Sequence, residues 1–263
     1  MVRDRLEVEI ELRDAIRHNR IVTRYQPLID LATRTIVGFE ALARWQHPTR
    51  GLIGAETFIA VAEDAGLIGD IFSVVLRDAC TQGCTWDAGL TVSVNVSPLQ
   101  FQDPHLAETI LETLEETGFA PERLEIEITE SALVVDVEAT KRTIEALKAV
   151  GIQIVLDDFG TGYSSLRHLH DLPFDKVKID QSFIRRLGAD EESRKIIDSI
   201  IGLSHALGLM TVAEGIETDQ EASWITEHGS EMGQGFLYSK PIRPADIPQL
   251  LETARLRGHA VGA

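Results

Sequence analysis

The sequence predicts an α/β fold, best read as a closed (β/α) barrel, and three observations carry that reading. Short, mainly apolar β-type runs alternate with longer segments of helical period along the whole chain. About eight such runs occur, the number a (β/α) barrel needs. No G-x-G-x-x-G follows the first run, so a doubly wound dinucleotide-binding sheet is the weaker alternative. The 263 residues suit one barrel of ~250 residues. One domain over 1–263 is expected, with a core of about 6–254 and a lead-in helix within 1–20.

Taken in order, Leu6 to Arg17 reads as that amphipathic lead-in helix. The strand runs are Val22–Ile29, Ile36–Leu42, Val92–Val96, Leu124–Ile128, Ile152–Leu156, Lys176–Ile179, Met210–Ala213 and Gly235–Tyr238. Only six residues, Asp30 to Thr35, separate the first two runs. A parallel crossover needs a dozen or more, so this pair is expected to be an antiparallel hairpin. With its bend near Ala32, Gln26 falls opposite Gly38 and within reach of Glu40. Asp136 is a candidate N-cap for a helix carrying Val137, Ile144 and Leu147 inward and ending at Gly151. Asp190 precedes another, with Ile197, Ile200, Ile201 and Leu207 at helical spacing and Gly208 beyond its end.

Composition narrows the function. The chain is 44% hydrophobic and 25% charged, as a globular protein is. Its net charge of −17 repels nucleic-acid backbone, so no DNA or RNA polymer is expected as a partner. Cys80 and Cys84 share one face of an expected helix and read as small buried thiols, since no second pair completes a metal set. No apolar run reaches the ~18 residues of a spanning helix, and Met1 to Asp14 is charged throughout. A cytoplasmic location without membrane insertion is the expectation.

The residues that end the strands carry the chemistry. They are Glu40, Asn95, Glu127, the pair Asp157-Asp158, Lys178, Glu214 and Gln234. In a (β/α) barrel such residues meet at the C-terminal rim. Five carboxylates brought together repel one another unless a cation intervenes, and an all-oxygen set without His or Cys favours hard divalent ions such as Mg²⁺ or Mn²⁺ over zinc. The adjacent aspartates can serve two ions, and a pair of ions can activate water and stabilise both oxygens of a displacement at phosphorus. Singly, each residue also has an ordinary reading. Glu127, for instance, belongs to an acid run with Glu122, Glu125 and Glu130 that reads as a solvated face.

With these motifs in view, the chain resembles the EAL family of cyclic di-GMP phosphodiesterases, named for the tripeptide found here as Glu40-Ala41-Leu42. The resemblance runs from about Leu6 to about Ala254. It rests on the ordered motifs YQPL, GFEALARWQHP, FIAVAEDAGLI, SVNVSPLQF, LEIEITES, DDFGTGYSSL, KVKIDQSFI, VAEGIET and GQGFLYSKPI.

The resemblance implies a modified TIM (β/α)8 barrel with one antiparallel strand and two metal ions, Mg²⁺ or Mn²⁺. Glu40, Asn95, Glu127 and Asp157 are implied for the first ion, and Asp157, Asp158 and Glu214 for the second. Lys178 is implied to lie by the attacking water or the scissile phosphate, and Gln26, Leu42, Arg44 and Gln234 to line the substrate groove. Arg44 suits the uncleaved phosphate, because its planar fork takes two oxygens. Glu130 and Glu217 are implied to steady the loop Phe159–Ser165, which is expected to couple self-association to metal binding through Glu130.

The implied reaction is hydrolysis of one phosphodiester of cyclic di-GMP to linear pGpG. Implied partners are cyclic di-GMP, a second copy of the chain, and a sensory or GGDEF domain in a parent protein. Some family members lose catalytic carboxylates and serve as silent receptors or interaction modules; the full ligand set and the intact DDFGTG here favour the enzyme. Ala43, Ala55 and Glu231 depart from the usual Leu, Pro and Asp without removing an implied ligand.

Overall fold

The computed structural model describes residues 2–160, 169, 171–187 and 191–259. Among the described residues nine strands form: β1 (Ile21–Asp30), β2 (Thr35–His47), β3 (Gly51–Gly54), β4 (Thr91–Val96), β5 (Leu124–Thr129), β6 (Gln153–Phe159), β7 (Lys176–Ile179), β8 (Met210–Ala213) and β9 (Met232–Gly233). Hydrogen bonding runs β1-β2-β4-β5-β6-β7-β8-β9 and returns to β1, closing a barrel of eight strands. Strand β1 is antiparallel to both neighbours, and every other barrel pair is parallel. The modified (β/α)8 barrel with one antiparallel strand is therefore the fold, and β3 lies outside the closed ring, paired to β2.

The helices are α1 (Val2–Arg17), α2 (Ala55–Asp64), α3 (Ile68–Gly83), α4 (Leu106–Thr117), α5 (Ala132–Val135), α6 (Val137–Ala149), α7 (Gln181–Ile184), α8 (Glu191–Ala206), α9 (Asp219–Glu227) and α10 (Ile247–His259). Asp136 caps α6, accepting from Ala139 N at 2.9 Å, and Ile144 and Leu147 are buried, whereas Val137 is only partly so. Ile197, Ile200 and Ile201 of α8 point into the core as their spacing requires; Asp190, the expected lead-in, lies outside the described residues. Of the two thiols only Cys80 is buried. Cys84 follows the last residue of α3 and is exposed, the inward position at that end being taken by Gly83.

Three strand expectations change. The hairpin pairs Gln26 with Glu40, not with Gly38. One residue of this shift arises because the bend centres between Ala32 and Thr33. The other arises from an irregularity after Leu28 that slips the register by one more. The expected run Gly235–Tyr238 is a turn, and the closing strand is Met232–Gly233 just before it. Gly235 lies so close to the Ile216 backbone that a Cβ would stand 2.0 Å from its carbonyl oxygen, so the chain is pinned there rather than laddered. Finally, the acid run of β5 is no solvated face. Glu122 is exposed, but Glu125 and Glu127 are 1% and 3% exposed and point into the barrel, with Glu130 also buried.

Strand pleating sets which side chains reach the site. On β1, Thr23 donates to Asp78 of α3 at 2.8 Å, and Tyr25 packs edge-on against Trp86 at 5.5 Å. On β2, Trp45 packs against Phe58 of α2 at 6.1 Å. These residues face the helices, so Gln26, Arg24, Glu40, Leu42 and Arg44 take the opposite face, toward the barrel axis. The β2–β4 ladder ends at Ala41–Val94, while β1–β2 continues to Ile21–Trp45. The hairpin arms thus rise past the rim as an antiparallel apron, flanked by β3 on one edge and by a Tyr25–Ile242 bridge on the other.

Below the rim, Lys176 Nζ lies 2.6 Å from Glu125 Oε1, both side chains almost wholly buried. Removing one member of such a pair strands a charge in the interior, while replacing both by apolar groups does not. Glu125→Ala is expected to lose about 3–5 kcal/mol of stability. The double change Glu125→Leu with Lys176→Met should recover most of that loss in urea denaturation.

Candidate active site

The C-terminal ends of the parallel strands carry the acids, and β7 sets Lys178 in their midst. Lys178 Nζ is 2.7 Å from Glu127 Oε2 and 2.7 Å from Glu214 Oε1, and 3.6 Å from both Glu40 Oε2 and Asp157 Oδ1. Its side chain is 2% exposed. Burial alone would lower an ammonium's pKa, but Asp157, Glu127, Glu214 and Glu40 together raise it well above the ordinary lysine value.

Glu40 is held from both sides. Asn95 Nδ2 donates to Oε1 at 2.7 Å and Gln234 Nε2 to Oε2 at 2.6 Å, while Gln234 also donates to Gln26 Oε1 at 3.1 Å. Gln26 in turn donates to the Ser239 carbonyl at 3.2 Å. Burial would raise the Glu40 carboxyl, but Lys178 and the hydrogen bonds from Gln234, Asn95 and Glu127 hold it below the usual carboxylate range. Glu127 moves the other way: burial, with the charges of Glu40 and Asp157, outweighs Lys178 and pushes it well up. Burial pushes Glu214 up to about 8, and burial with the Asp157 charge takes Asp158 to about 6. Without metal, the site holds more negative charge than its one ammonium balances.

Two neighbouring residues of a regular strand point to opposite faces, so Asp157 and Asp158 should not share a target. The β6–β7 register slips between Leu156 and Phe159, and Asp158 takes φ +56, a left-handed conformation uncommon outside glycine. This local break turns the second carboxylate back toward the first. Asp157, Asp158 and Glu214 each offer an oxygen, and all three lie within 4.8 Å of one another. Among the described residues this is the one group of three acids so close, and its all-oxygen donors suit a hard divalent cation. Glu40, Asn95 and Glu127 surround the same centre more loosely, tied to Gln234 and Lys178 instead.

The EAL domain family model matches residues 9–241. The chain belongs to the EAL domain family. Protein y4lL of Sinorhizobium fredii is 41% identical over 252 residues, covering 96% of this chain and 30% of the relative. The cyclic di-GMP phosphodiesterase NbdA of Pseudomonas aeruginosa is 38% identical over 254 residues, covering 95% and 32%. The solved structure of the PaMucR phosphodiesterase in complex with c-di-GMP superposes with a TM-score of 0.89 at 37% identity, over 92% of this chain and 99% of that one. This EAL chain spans about a third of the length of the curated relatives it matches.

Other residues named from the sequence fall around this centre. Leu42 and Arg44 are half-buried on the apron, on the same face as Glu40. Glu130 is buried, and among the described residues neither carboxylate oxygen has a hydrogen-bond partner. Glu217 is half exposed and lies 3.9 Å from Arg185. The loop Phe159–Ser165 that both acids were expected to steady has residues 161–165 outside the described residues.

Sequence reading passed over Asp180. Its charge helps raise Asp158, and its side chain caps α7 through Ser182 N at 3.0 Å. The signal was present, since Asp180 directly follows the last residue of β7, at the same rim as the others. The motif VAEGIET likewise has a structural half, because Thr218 and Glu221 form a reciprocal capping box at the start of α9.

Asp158 is held in a conformation that glycine adopts without cost. Asp158→Gly is expected to raise the stability of the chelator-treated protein by up to ~1 kcal/mol, and to weaken Mn²⁺ binding ~10-fold or more. Thermal denaturation in EDTA and calorimetric titration with Mn²⁺ read the two effects. A stabilised variant with unchanged Mn²⁺ affinity would remove Asp158 from the cation set.

Proposed function

We propose that this EAL domain is a metal-dependent hydrolase that opens one phosphodiester of cyclic di-GMP, giving linear pGpG, with Mg²⁺ or Mn²⁺ as cofactor at two ions per site. The observation that carries this reading is the convergence of four carboxylates, Glu40, Glu127, Asp157 and Glu214, on one buried ammonium at the open end of the barrel, with Asp158 joining Asp157 and Glu214 in cation-binding proximity. Membership of the family and the likeness to the PaMucR complex support cyclic di-GMP as the substrate.

Divalent cations supply Lewis-acid polarisation of phosphoryl oxygens and lower the pKa of water. The chain's own residues do the rest. Asp157, Asp158 and Glu214 are assigned to one cation, and Glu40, Asn95, Glu127 and Asp157 to the other. Asn95 and Gln234 fix the orientation of Glu40, so its oxygens need no reordering when a cation arrives. Lys178, whose ammonium the surrounding carboxylates favour, is assigned a place beside the position where charge develops on the phosphoryl group. Gln26, Leu42, Arg44 and Gln234 are assigned to the nucleotide.

Chromatography of cyclic di-GMP incubated with the purified chain and Mg²⁺ or Mn²⁺ tests the assignment. Conversion to pGpG is expected. Tight binding without product would make the chain a receptor instead. Glu40→Ala is expected to lower turnover by on the order of 10³-fold; near-native activity would overturn the assignment. Lys178→Ala should reduce kcat more than Mn²⁺ occupancy, and a variant that only lost metal would contradict the role given to Lys178.

A further inference from the structure

The apron above the barrel mouth carries a row of guanidinium groups that the acid ring does not use. Arg24 stands two residues from Gln26 on β1, on the same axis-facing side, directly opposite Leu42 and diagonal to Arg44. On the other edge of β1, Tyr25 and Ile242 exchange backbone hydrogen bonds at 2.9 and 2.8 Å. That antiparallel bridge places Arg243 directly opposite Arg24. Three arginines, Arg44 on β2, Arg24 on β1 and Arg243 on the segment bridged to β1, therefore line up across one face.

Like charges set opposite one another on a sheet are destabilising, so the row needs an anion to balance it. The protein supplies little. Arg243 is paired with Asp246 at 2.9 and 3.1 Å. Arg24 and Arg44 have no acid within ion-pair distance among the described residues; each donates to a neighbouring backbone carbonyl, Thr23 at 3.2 Å and Ala43 at 2.8 Å. Burial, with the charges of Arg243 and Arg44, holds the Arg24 guanidinium below its ordinary pKa. In a chain of net charge −17, Arg24 and Arg44, which lack an acid within ion-pair distance among the described residues, mark where an anionic ligand fits beside the mouth.

We propose that Arg24 is a substrate-positioning residue that acts with Arg44 as a two-fork clamp on the phosphodiester not being cleaved. This rests on the cyclic di-GMP reading above, in which one phosphate lies at the acid ring and the other faces the apron. Each planar fork takes two phosphate oxygens, and the diagonal placement lets the two approach one anion from different strands.

Steady-state kinetics of the wild type, Arg24→Ala and Arg24→Lys on cyclic di-GMP test it, with melting temperature and salt dependence measured alongside. Arg24→Ala is expected to raise KM ~10-fold while kcat stays within ~2-fold. The decline of kcat/KM with NaCl should be shallower than in the wild type. Arg24→Lys should restore only part of the loss, because a point charge does not replace the fork. Tm should hold or rise, since a repulsion is removed; a merely structural arginine would lower Tm and depress kcat with KM. An active wild type with an unchanged KM in Arg24→Ala overturns the clamp alone. A wild type that neither cleaves cyclic di-GMP nor binds it in equilibrium dialysis overturns the substrate reading, and the clamp falls with it.

Discussion

One buried ammonium governs the top of this barrel. Taking a lysine out of water costs several kcal/mol unless opposite charge meets it inside. Lys178 has four carboxylates within 3.6 Å. The arrangement overshoots, because one positive charge stands among Glu40, Glu127, Asp157, Asp158 and Glu214. Burial first, and then the charges of the neighbouring acids, push Glu127 well up and Glu214 to about 8. A site in this state has a standing demand for cations, and its donors are all oxygen.

The layer beneath offers the control. Strands β5 and β7 carry a second glutamate and lysine two residues earlier, Glu125 and Lys176, which pair at 2.6 Å and one to one. Strand period explains the repeat, since residues two apart share the inward face and side chains from alternate strands of a barrel meet in one layer. The same chemistry is therefore neutral and structural in one layer and unbalanced in the next. What differs is the contribution of the neighbouring strands: Glu40 of β2, Asp157 and Asp158 at the end of β6, and Glu214 just past β8 join only the upper layer. Function resides in the surplus.

Much of this was legible in the sequence, and what escaped has definite causes. Strand ends could be read because apolar runs stop abruptly at Asp157 and Glu214, and the barrel rule then gathers them. The antiparallel start could be read because six residues cannot make a crossover. Register could not, since an irregularity such as the one after Leu28 is a backbone event without a residue signature. The turn at Gly235 reads as a strand in the sequence because its apolar residues, Phe236 to Tyr238, look like one. Nothing local announces that Ile216 occupies the space a Cβ would need. The acid run of β5 misled in the same way: whether an alternating series faces water or lysines depends on β7, some fifty residues later.

The arginine row shows why long-range pairing hides function most completely. Arg24 and Arg243 are over two hundred positions apart and become neighbours only through the Tyr25–Ile242 bridge. That bridge exists because β1 runs against its neighbours. An all-parallel barrel would present its rim as a ring of strand ends, without a ladder extending above it. Reversing one strand gives the mouth a raised antiparallel wall whose inner face continues the alternation of Glu40 and Gln26 outward to Leu42, Arg24 and Arg44. Negative charge inside the rim and positive charge on the wall are thus two consequences of a single topological choice. On the function proposed above, a doubly charged anion straddling both would meet the candidate cation-binding acids at one end and guanidinium forks at the other.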